Sequence, residues 1–346
     1  MSRYYRLAVT PVATDGTQGT TVTWTNKNGS KAVLGAQRVE FDLAVVPGAV
    51  PAGGAWIRVW GPTRQQIQQA SDFNNADIEF YGGMQDGLPL ATQSVAAKQP
   101  GLLIKGQVLQ AFANWQGTVQ TLEFVIIPSS TAGTDATDAG RQAAAVGAPP
   151  PPQNFSFTWA QGSSLTANIQ NVLQQAYSGA SVTISAADDL ILLHDEAGAF
   201  TDLRTFATYV QGLSRDIKGS TYGGLNITPS GASSFLIFDN TKINGNVTNV
   251  TMLDLIGVVT WLSPATATFT TVLRADLNIG DVVTFPPLAG SQAITTGDSA
   301  SQARTKNTFN GNWQISDYVR HVGDSRSPDA QAWASVFQVT AMDVTP

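Results

Sequence analysis

Alternation of apolar and polar residues dominates both ends of this chain, and a period of two admits little but half-buried β-strand. In QRVEFDLAVV, Val39, Phe41, Leu43 and Val45 alternate with polar or small neighbours. In AWIRVW, Ile57 and Val59 share one face while Trp56, Arg58 and Trp60 share the other. Thr63 and Gln66 in the following GPTRQQIQQA form a T-x-x-Q capping box, which predicts a short helix. ADIEFYGG, GLLIKGQVLQAFANW and TVQTLEFVII add three strands, the last two joined by an expected turn at Asn114-Trp115-Gln116-Gly117.

The pattern then breaks. SSTAGTDATDAGRQAAAVGAPPPPQ, residues 129–153, has almost no bulky apolar side chain and ends in Pro149–Pro152. Nothing in it offsets the entropy of ordering. It is expected to be a linker or long loop whose proline end is stiffened into polyproline II. Beyond it the period lengthens. After Ser164, the residues Leu165, Ile169, Val172, Leu173 and Ala176 fall at helical spacing. After Thr201, taken as an N-cap, Leu203, Phe206, Val210, Leu213 and Ile217 do the same. SVTISA reads as a strand, and GLNITP with SFLIFDN as a hairpin, so residues 154–244 are expected to form a small α+β unit. From 245 the strands return in TATFTTVLRADL, GDVVTFPP, NGNWQISDYVRHVG and AWASVFQVTAMDV. The last pair should form a hairpin with RHVGDSRSPDAQ at its tip. The first and last thirds share this plan without any residue-by-residue repeat.

Composition narrows the function. Charged residues make up 13 % of the chain, about half the usual ~25 %. A weakly charged polar surface resists association poorly, which suits a subunit of an assembly. The net charge is −6 and Lys and Arg form no cluster, so a grip on nucleic acid is not expected. With no cysteine there is no disulfide, zinc–thiolate site or thiol nucleophile. MSRYYRLAV lacks the apolar core of a secretory signal, and runs such as Phe124–Ile127 fall far short of the ~20 residues that span a bilayer. The expectation is a soluble protein made in the cytoplasm, with no membrane-spanning segment.

The residues of acid–base chemistry point to no site. His321 stands in RHVGDSR with Asp324 and Ser325, where a pattern of strand passes into turn. A Ser–His–Asp triad needs a geometry that sequence neighbours rarely meet, and no G-x-S-x-G elbow occurs. His194 with Asp195 and Glu196 in LILLHDEAG has no second histidine at ligand spacing, and reads as a strand end entering a turn at Gly198. Asp188 and Asp189, as strand neighbours, would point to opposite faces and could not straddle a glycosidic bond. The glycines of AGGAW, YGGM and TYGG fit no phosphate loop. Trp56, Trp60, Trp313 and Trp333 fall inside strand patterns, where core or subunit packing is the commoner fate than sugar stacking. No catalytic, metal or cofactor residue is assigned.

Four segments, in order, resemble the baseplate hub (tail hub) proteins of tailed bacteriophages. The first is AWIRVWGPTRQQIQQASDFNNADIEFYGGMQ, residues 55–85. The second is IQNVLQQAYSGASVTISAADDLILLHDEAGAFTDLRTFATYVQGLSRDI, residues 169–217. The third is LIGVVTWLSPATATFTTVLRADLNIGDVVTFP, residues 255–286. Here Leu273-Arg274-Ala275-Asp276-Leu277 with Gly280-Asp281 is similar to the family's strand pair. The last is FNGNWQISDYVRHVGDSRSPDAQAWASVF. Each motif is loose alone; order and spacing carry the resemblance, and 129–153 has no counterpart in it.

The resemblance implies a β-rich α+β fold: tail-tube-like β-barrel domains at 1–128 and 245–346, a small α+β domain at 154–244, and the linker between. It implies a homotrimer whose six tube-like domains match a hexameric tail tube or distal tube protein on one side. The central spike lies on the other. A tape-measure protein and baseplate wedge are further partners it suggests. DNA would pass through the lumen without specific binding, in a virion baseplate assembled in the host cytoplasm. No lysozyme- or peptidase-like segment occurs up to Pro346, so wall cutting is not expected. Two alternatives stand beside this: another tail structural protein of tube or distal-tail type, and a carbohydrate-binding or glycan-cleaving β protein.

Overall fold

The computed structural model describes residues 3–13, 17–28, 31–45, 55–84, 100–128, 154–177, 180–219, 222–229, 234–243, 247–263, 266–285, 309 and 311–342. The expected linker at 129–153 lies outside them. The molecule is β-rich. Its first part contains β1 (Arg3–Thr10), β2 (Val22–Thr25), the short pair β3 (Lys27–Asn28) and β4 (Lys31–Ala32), β5 (Arg38–Val45) and β6 (Ala55–Trp60). Helix α1 (Arg64–Gln68) follows, then β7 (Asp77–Met84), β8 (Gly101–Gln116) and β9 (Val119–Pro128). The capping box forms as expected. Thr63 Oγ1 accepts from the Gln66 N–H at 3.2 Å, and Gln66 Oε1 accepts from the Thr63 N–H at 2.8 Å. The β8–β9 turn sits further along than Asn114–Gly117, because pairing persists to Gln116↔Val119. Gly117, at φ +59°, supplies the left-handed backbone that so tight a turn needs.

The middle part holds β10 (Phe155–Trp159), α2 (Leu165–Ala176), β11 (Ser181–Ser185) and β12 (Glu196–Phe200). It ends with α3 (Leu203–Lys218), β13 (Asn226–Pro229) and β14 (Ser234–Phe238). Leu165, Ile169, Val172 and Leu173 of α2 are buried, as are Leu203, Phe206, Val210 and Leu213 of α3. They pack with Phe155, Phe235 and Ile237 into one core. The α3 N-cap is Asp202 rather than the expected Thr201. Its Oδ1 accepts from the Thr205 N–H at 2.8 Å, a position where a carboxylate also meets the positive end of the helix dipole.

The last part comprises β15 (Val247–Asn249), β16 (Thr260–Trp261), β17 (Thr266–Val272), β18 (Val282–Thr284), β19 (Trp313–Asp324) and β20 (Trp333–Ala341). RHVGD, placed by sequence at a hairpin tip, is instead the end of β19 itself, and the turn begins at Ser325. Strands from both ends of the chain join in one 13-stranded sheet, ordered β16-β17-β20-β19-β5-β6-β9-β8-β7-β1-β2, with β18 on the start of β19 and β15 on β18. The described strands do not close this sheet into a barrel.

Alternation lets one strand serve two cores. Phe235 and Ile237 of β14 enter the middle core, while Leu236 and Phe238 enter the last one with Phe269, Phe285, Trp313 and Phe337. Gly280 lies against this strand at φ +92°, where a Cβ would come 2.5 Å from Leu236 Cδ2. Among the described residues no helix is long and apolar enough to cross a membrane. Leu236→Ala should destabilise the protein by about 2–5 kcal/mol, as buried leucine truncations do. Denaturant unfolding followed by tryptophan fluorescence measures this.

Candidate functional site

RHVGDSR fastens the two ends of the chain together. Residues 319–324 of β19 pair antiparallel with residues 40–45 of β5, from Val319↔Val45 to Asp324↔Glu40. Before that, Trp313 and Gln314 of the same strand pair with β18. A register irregularity between Ile315 and Tyr318 separates the two stretches, and β19 changes partner there.

The outward side chains at this seam are ion-paired. Arg38 grips Asp324 through two bonds, Nε to Oδ1 at 3.0 Å and Nη2 to Oδ2 at 2.8 Å. The bonds to Asp324 hold the Arg38 guanidinium above its ordinary pKa. Arg320 meets Asp42 in the same two-pronged way, with Nε to Oδ1 at 2.7 Å, and its pKa is likewise raised by that bond. Arg58 of β6 extends the array to Glu123 at 2.7 Å and towards Glu40 at 3.7 Å. The Arg38 and Arg320 side chains are more than a third exposed, so solvent screening holds each such pair to at most ~1 kcal/mol. They select a register more than they hold the sheet.

The inward side carries the energy. Gly323 lies against aromatic rings: a Cβ there would come 2.2 Å from Phe41 Cζ and 2.8 Å from Trp333 Cε3. Phe41 packs edge-on against Phe80 and Trp333, with centroids 4.7 and 5.2 Å away. Trp333 donates its indole N–H to Gly83 O at 3.0 Å, tying β20 to β7. Arg3 bonds the carbonyls of Asp324 and Asp329 and lies 5.6 Å from the Trp333 ring. Ser325 exchanges bonds with Val39: its N–H donates to Val39 O, and its Oγ accepts from the Val39 N–H, both at 2.9 Å. Arg326 reaches Ala36 O at 2.6 Å.

His321 is buried, and its Nδ1 lies 2.8 Å from the Oγ of Ser335, not of Ser325. A serine–imidazole contact is part of a catalytic triad, but this one cannot act as such. Ser335 is wholly buried, and its hydroxyl donates to Arg274 O at 3.3 Å while accepting from the Arg274 N–H at 3.2 Å. The tautomer of His321 decides which of the two donates; burial and the hydroxyl's two bonds to the Arg274 backbone are what keep the pair from a substrate. Among the described residues neither side chain has a carboxylate among its hydrogen bonds. Burial lowers the His321 pKa to about 4, so the ring is neutral at pH 7.

The other candidates are scattered. His194 is exposed in a bend before β12, 3.4 Å from Glu196 Oε1, and Gly198 lies within β12 rather than in a turn. Asp195 accepts from the Gln161 N–H at 2.7 Å. Asp188 and Asp189 occupy a turn, not a strand, and pair with Lys242 at 2.7 Å and Lys218 at 2.8 Å. Among the described residues no three His, Asp or Glu side chains gather as metal ligands would. Trp313 and Trp333 are core residues, whereas Trp56 and Trp60 sit half-buried on the outer face. Arg58 stacks 5.2 Å from the Trp56 ring and Arg38 4.9 Å from the Trp60 ring, so guanidinium groups already occupy ring faces a sugar would use.

One buried acid escaped sequence reading. Asp239 takes four bonds, from the N–H groups of Ala187 and Thr241 and the hydroxyls of Tyr222 and Thr241, at 2.6 to 2.9 Å. Burial, and then this bond, push the Tyr222 pKa up. A carboxylate so fully satisfied joins segments and has no lone pair facing a ligand.

Neither a protein-family profile nor a curated protein matches the sequence. Among solved structures, the chain is similar to the 43 kDa tail protein of prophage MuSo2 from Shewanella oneidensis. The likeness covers 99 % of this chain and 98 % of that one, at 9 % identity and a TM-score of 0.48. A tail protein from Neisseria meningitidis MC58 is similar over 97 % of this chain and 96 % of that one, at 9 % identity and a TM-score of 0.44. A chain of the Francisella PdpA-VgrG complex is similar over 100 % of this chain and 54 % of that one, at 9 % identity and a TM-score of 0.45.

Two outcomes follow from the seam. Gly323→Ala should cost about 1–3 kcal/mol, the penalty for overpacking, read as a lower urea midpoint. His321 binds its proton more weakly folded than unfolded, so its contribution is complete above about pH 6.5 and is lost as pH falls towards about 4. The loss is on the order of 3 kcal/mol. Urea titrations across that range should show His321→Asn abolishing this part of the pH dependence.

Proposed function

We propose that this chain is a structural protein of a bacteriophage tail, and specifically its baseplate hub. In this reading three copies form a ring of pseudo-sixfold symmetry between the hexameric tube and the central spike, and the genome passes through it. The observation that carries the proposal is the seam. One chain lays two β units side by side through β5 and β19, with the α+β unit packed on the second. Three chains so built offer six β units to a sixfold partner while keeping threefold symmetry towards a spike.

The four hub-like segments support the same assignment, and most of their residues are described. The first spans β6, α1 and β7; the last spans β19 and the start of β20. The RHVGDSR stretch is then an internal fastening and no active site. The low charge and net charge of −6 suit a subunit packed among others around a channel for DNA, which a basic wall would hold. The tube-like barrel form of the two β units, the domain bounds at 1–128, 154–244 and 245–346, and the tube, spike, tape-measure and wedge partners all belong to this proposal. So does assembly in the host cytoplasm.

Light scattering on the purified chain across a concentration series tests it. A species of three times the 36.5 kDa chain mass is expected. Six copies would favour the tube-type alternative. A monomer that binds polysaccharide would overturn the proposal.

A further inference from the structure

We infer that residues 273–277, LRADL, set the angle at which the two β units meet, with Leu273 as the positioning residue. The inference concerns a single chain. Only its consequence, the spacing of two units for a sixfold partner, rests on the hub reading.

The β5–β19 ladder joins the units along one line and leaves their angle open, because the twist between neighbouring strands ranges over roughly −10 to −35°. Fixing an angle takes a second contact away from that line. The connection from β17 to β18 makes one. Phe269 of β17 lies in the last core, Leu273 in the first, and Leu277 in the last again, each no more than 1 % exposed. The chain dips once into the first unit, and Leu273 is the side chain it leaves there.

The first unit is shaped to receive it. Leu273 and Ala275 lie against Gly82 of β7 and Gly101 of β8, which pair with each other. A Cβ on Gly82 would come 3.1 Å from Leu273 Cδ2, and one on Gly101 would come 3.1 Å from Ala275 Cβ. Neither glycine takes a positive φ, so close approach is their use here. In the sheet order β7 stands four strands from β5, which places this contact well away from the seam. The bond from the Trp333 indole to Gly83 O belongs to the same end of β7.

On its other side the stretch is pinned to the second unit. The Leu273 N–H donates to Trp333 O at 3.0 Å, and the Val272 N–H to Asp254 O at 3.1 Å. Ser335 Oγ bonds both backbone groups of Arg274. The Arg274 guanidinium, buried, is held by Asp276 of the same stretch through two bonds at 2.7 Å. A lever fixed by its backbone to one unit and close-packed by its tip into the other transmits the position of the first to the second.

The chain has no cysteine, so paired spin labels can read that position. Asn114→Cys in the first unit and Thr260→Cys in the second, both at exposed sites, carry the labels. Diluting labelled with unlabelled chain confines pulsed dipolar spectroscopy to distances within one chain, whatever its oligomeric state. The parent should give one narrow distribution. Leu273→Ala should widen it by about twofold or more, since relative motion is the default once such a contact is lost. Leu273→Met, which refills the site, should restore the narrow form. Ile57→Ala truncates an equally buried residue of the first core on β6, and should lower the urea midpoint without widening the distribution. Circular dichroism confirms that each variant is folded. Should Leu273→Ala fail to fold, Gly101→Val carries the test: it presses on Ala275 from the first unit and should shift the mean distance. A broad distribution in the parent overturns the inference. So does equal widening by Leu273→Ala and Ile57→Ala, which would report a loosened core and no positioning. A distribution unchanged in both Leu273→Ala and Gly101→Val overturns it as well. The hub proposal is decided separately, by native mass.

Discussion

The pairing of β5 with β19 is the contact on which the architecture turns, because it makes one sheet out of strands nearly three hundred residues apart. Bringing the chain ends together costs loop-closure entropy, and that cost grows only slowly with the length enclosed. What offsets it is local to the seam: six residue pairs of backbone ladder, the Phe41–Trp333–Phe80 aromatic cluster, and Arg3 bonding two carbonyls of the β19–β20 connection. Gly323 permits all of it, since any side chain there would displace the Phe41 ring. The charged pairs on the outer face add direction. Arg38 with Asp324 and Arg320 with Asp42 both cross the seam, and a slip of one residue would send these side chains to the opposite face.

From this seam the polar residues of RHVGDSR acquire a common purpose. Alternation in β19 sends Arg320 and Asp324 outward to ion pairs and His321 and Gly323 inward to the core, so one short stretch serves both faces of the junction. His321 then resembles a catalytic base only in composition. Its ring is neutral and sealed from solvent, and its hydrogen bond ends on a serine hydroxyl already engaged with the backbone of Arg274. Arg274 is itself buried and bonded twice to Asp276 at 2.7 Å, so the stretch flagged by the hub resemblance, which the structure makes the β17–β18 connection and not a strand pair, is anchored behind the seam.

Strands and helices were legible in the sequence because each announces its period locally. Val39, Phe41 and Leu43 are buried as their alternation requires, and the apolar stripes of both long helices face one core. Errors came where a local signal had a near neighbour of equal chemistry. Asp202 displaced Thr201 as cap, and the β8–β9 turn moved to the glycine that could take a positive φ. Placing His321 in a turn was a larger error. Gly323, Asp324 and Ser325 are turn formers by composition, but glycine in a strand also marks a close approach, here of Phe41. Nothing local distinguishes those two uses. The partners of the seam were illegible for the same reason: Arg38 and Asp324 carry no mark that they belong together across 286 positions.

A sheet assembled this way is left with ends, and in this chain they are the least defended part of it. The interior strands carry charges at alternate positions, such as Glu79 with Lys105 and Arg58 with Glu123, where neighbouring strands already satisfy the backbone. The terminal strands β2, β15 and β16, where charge would do most to prevent stray pairing, carry none. A free monomer would gain solubility from the reverse arrangement. Bare edges on a molecule with so few charges overall make sense where assembly covers them. The composition and the topology, observed independently, thus bear on the same proposal of assembly with further copies.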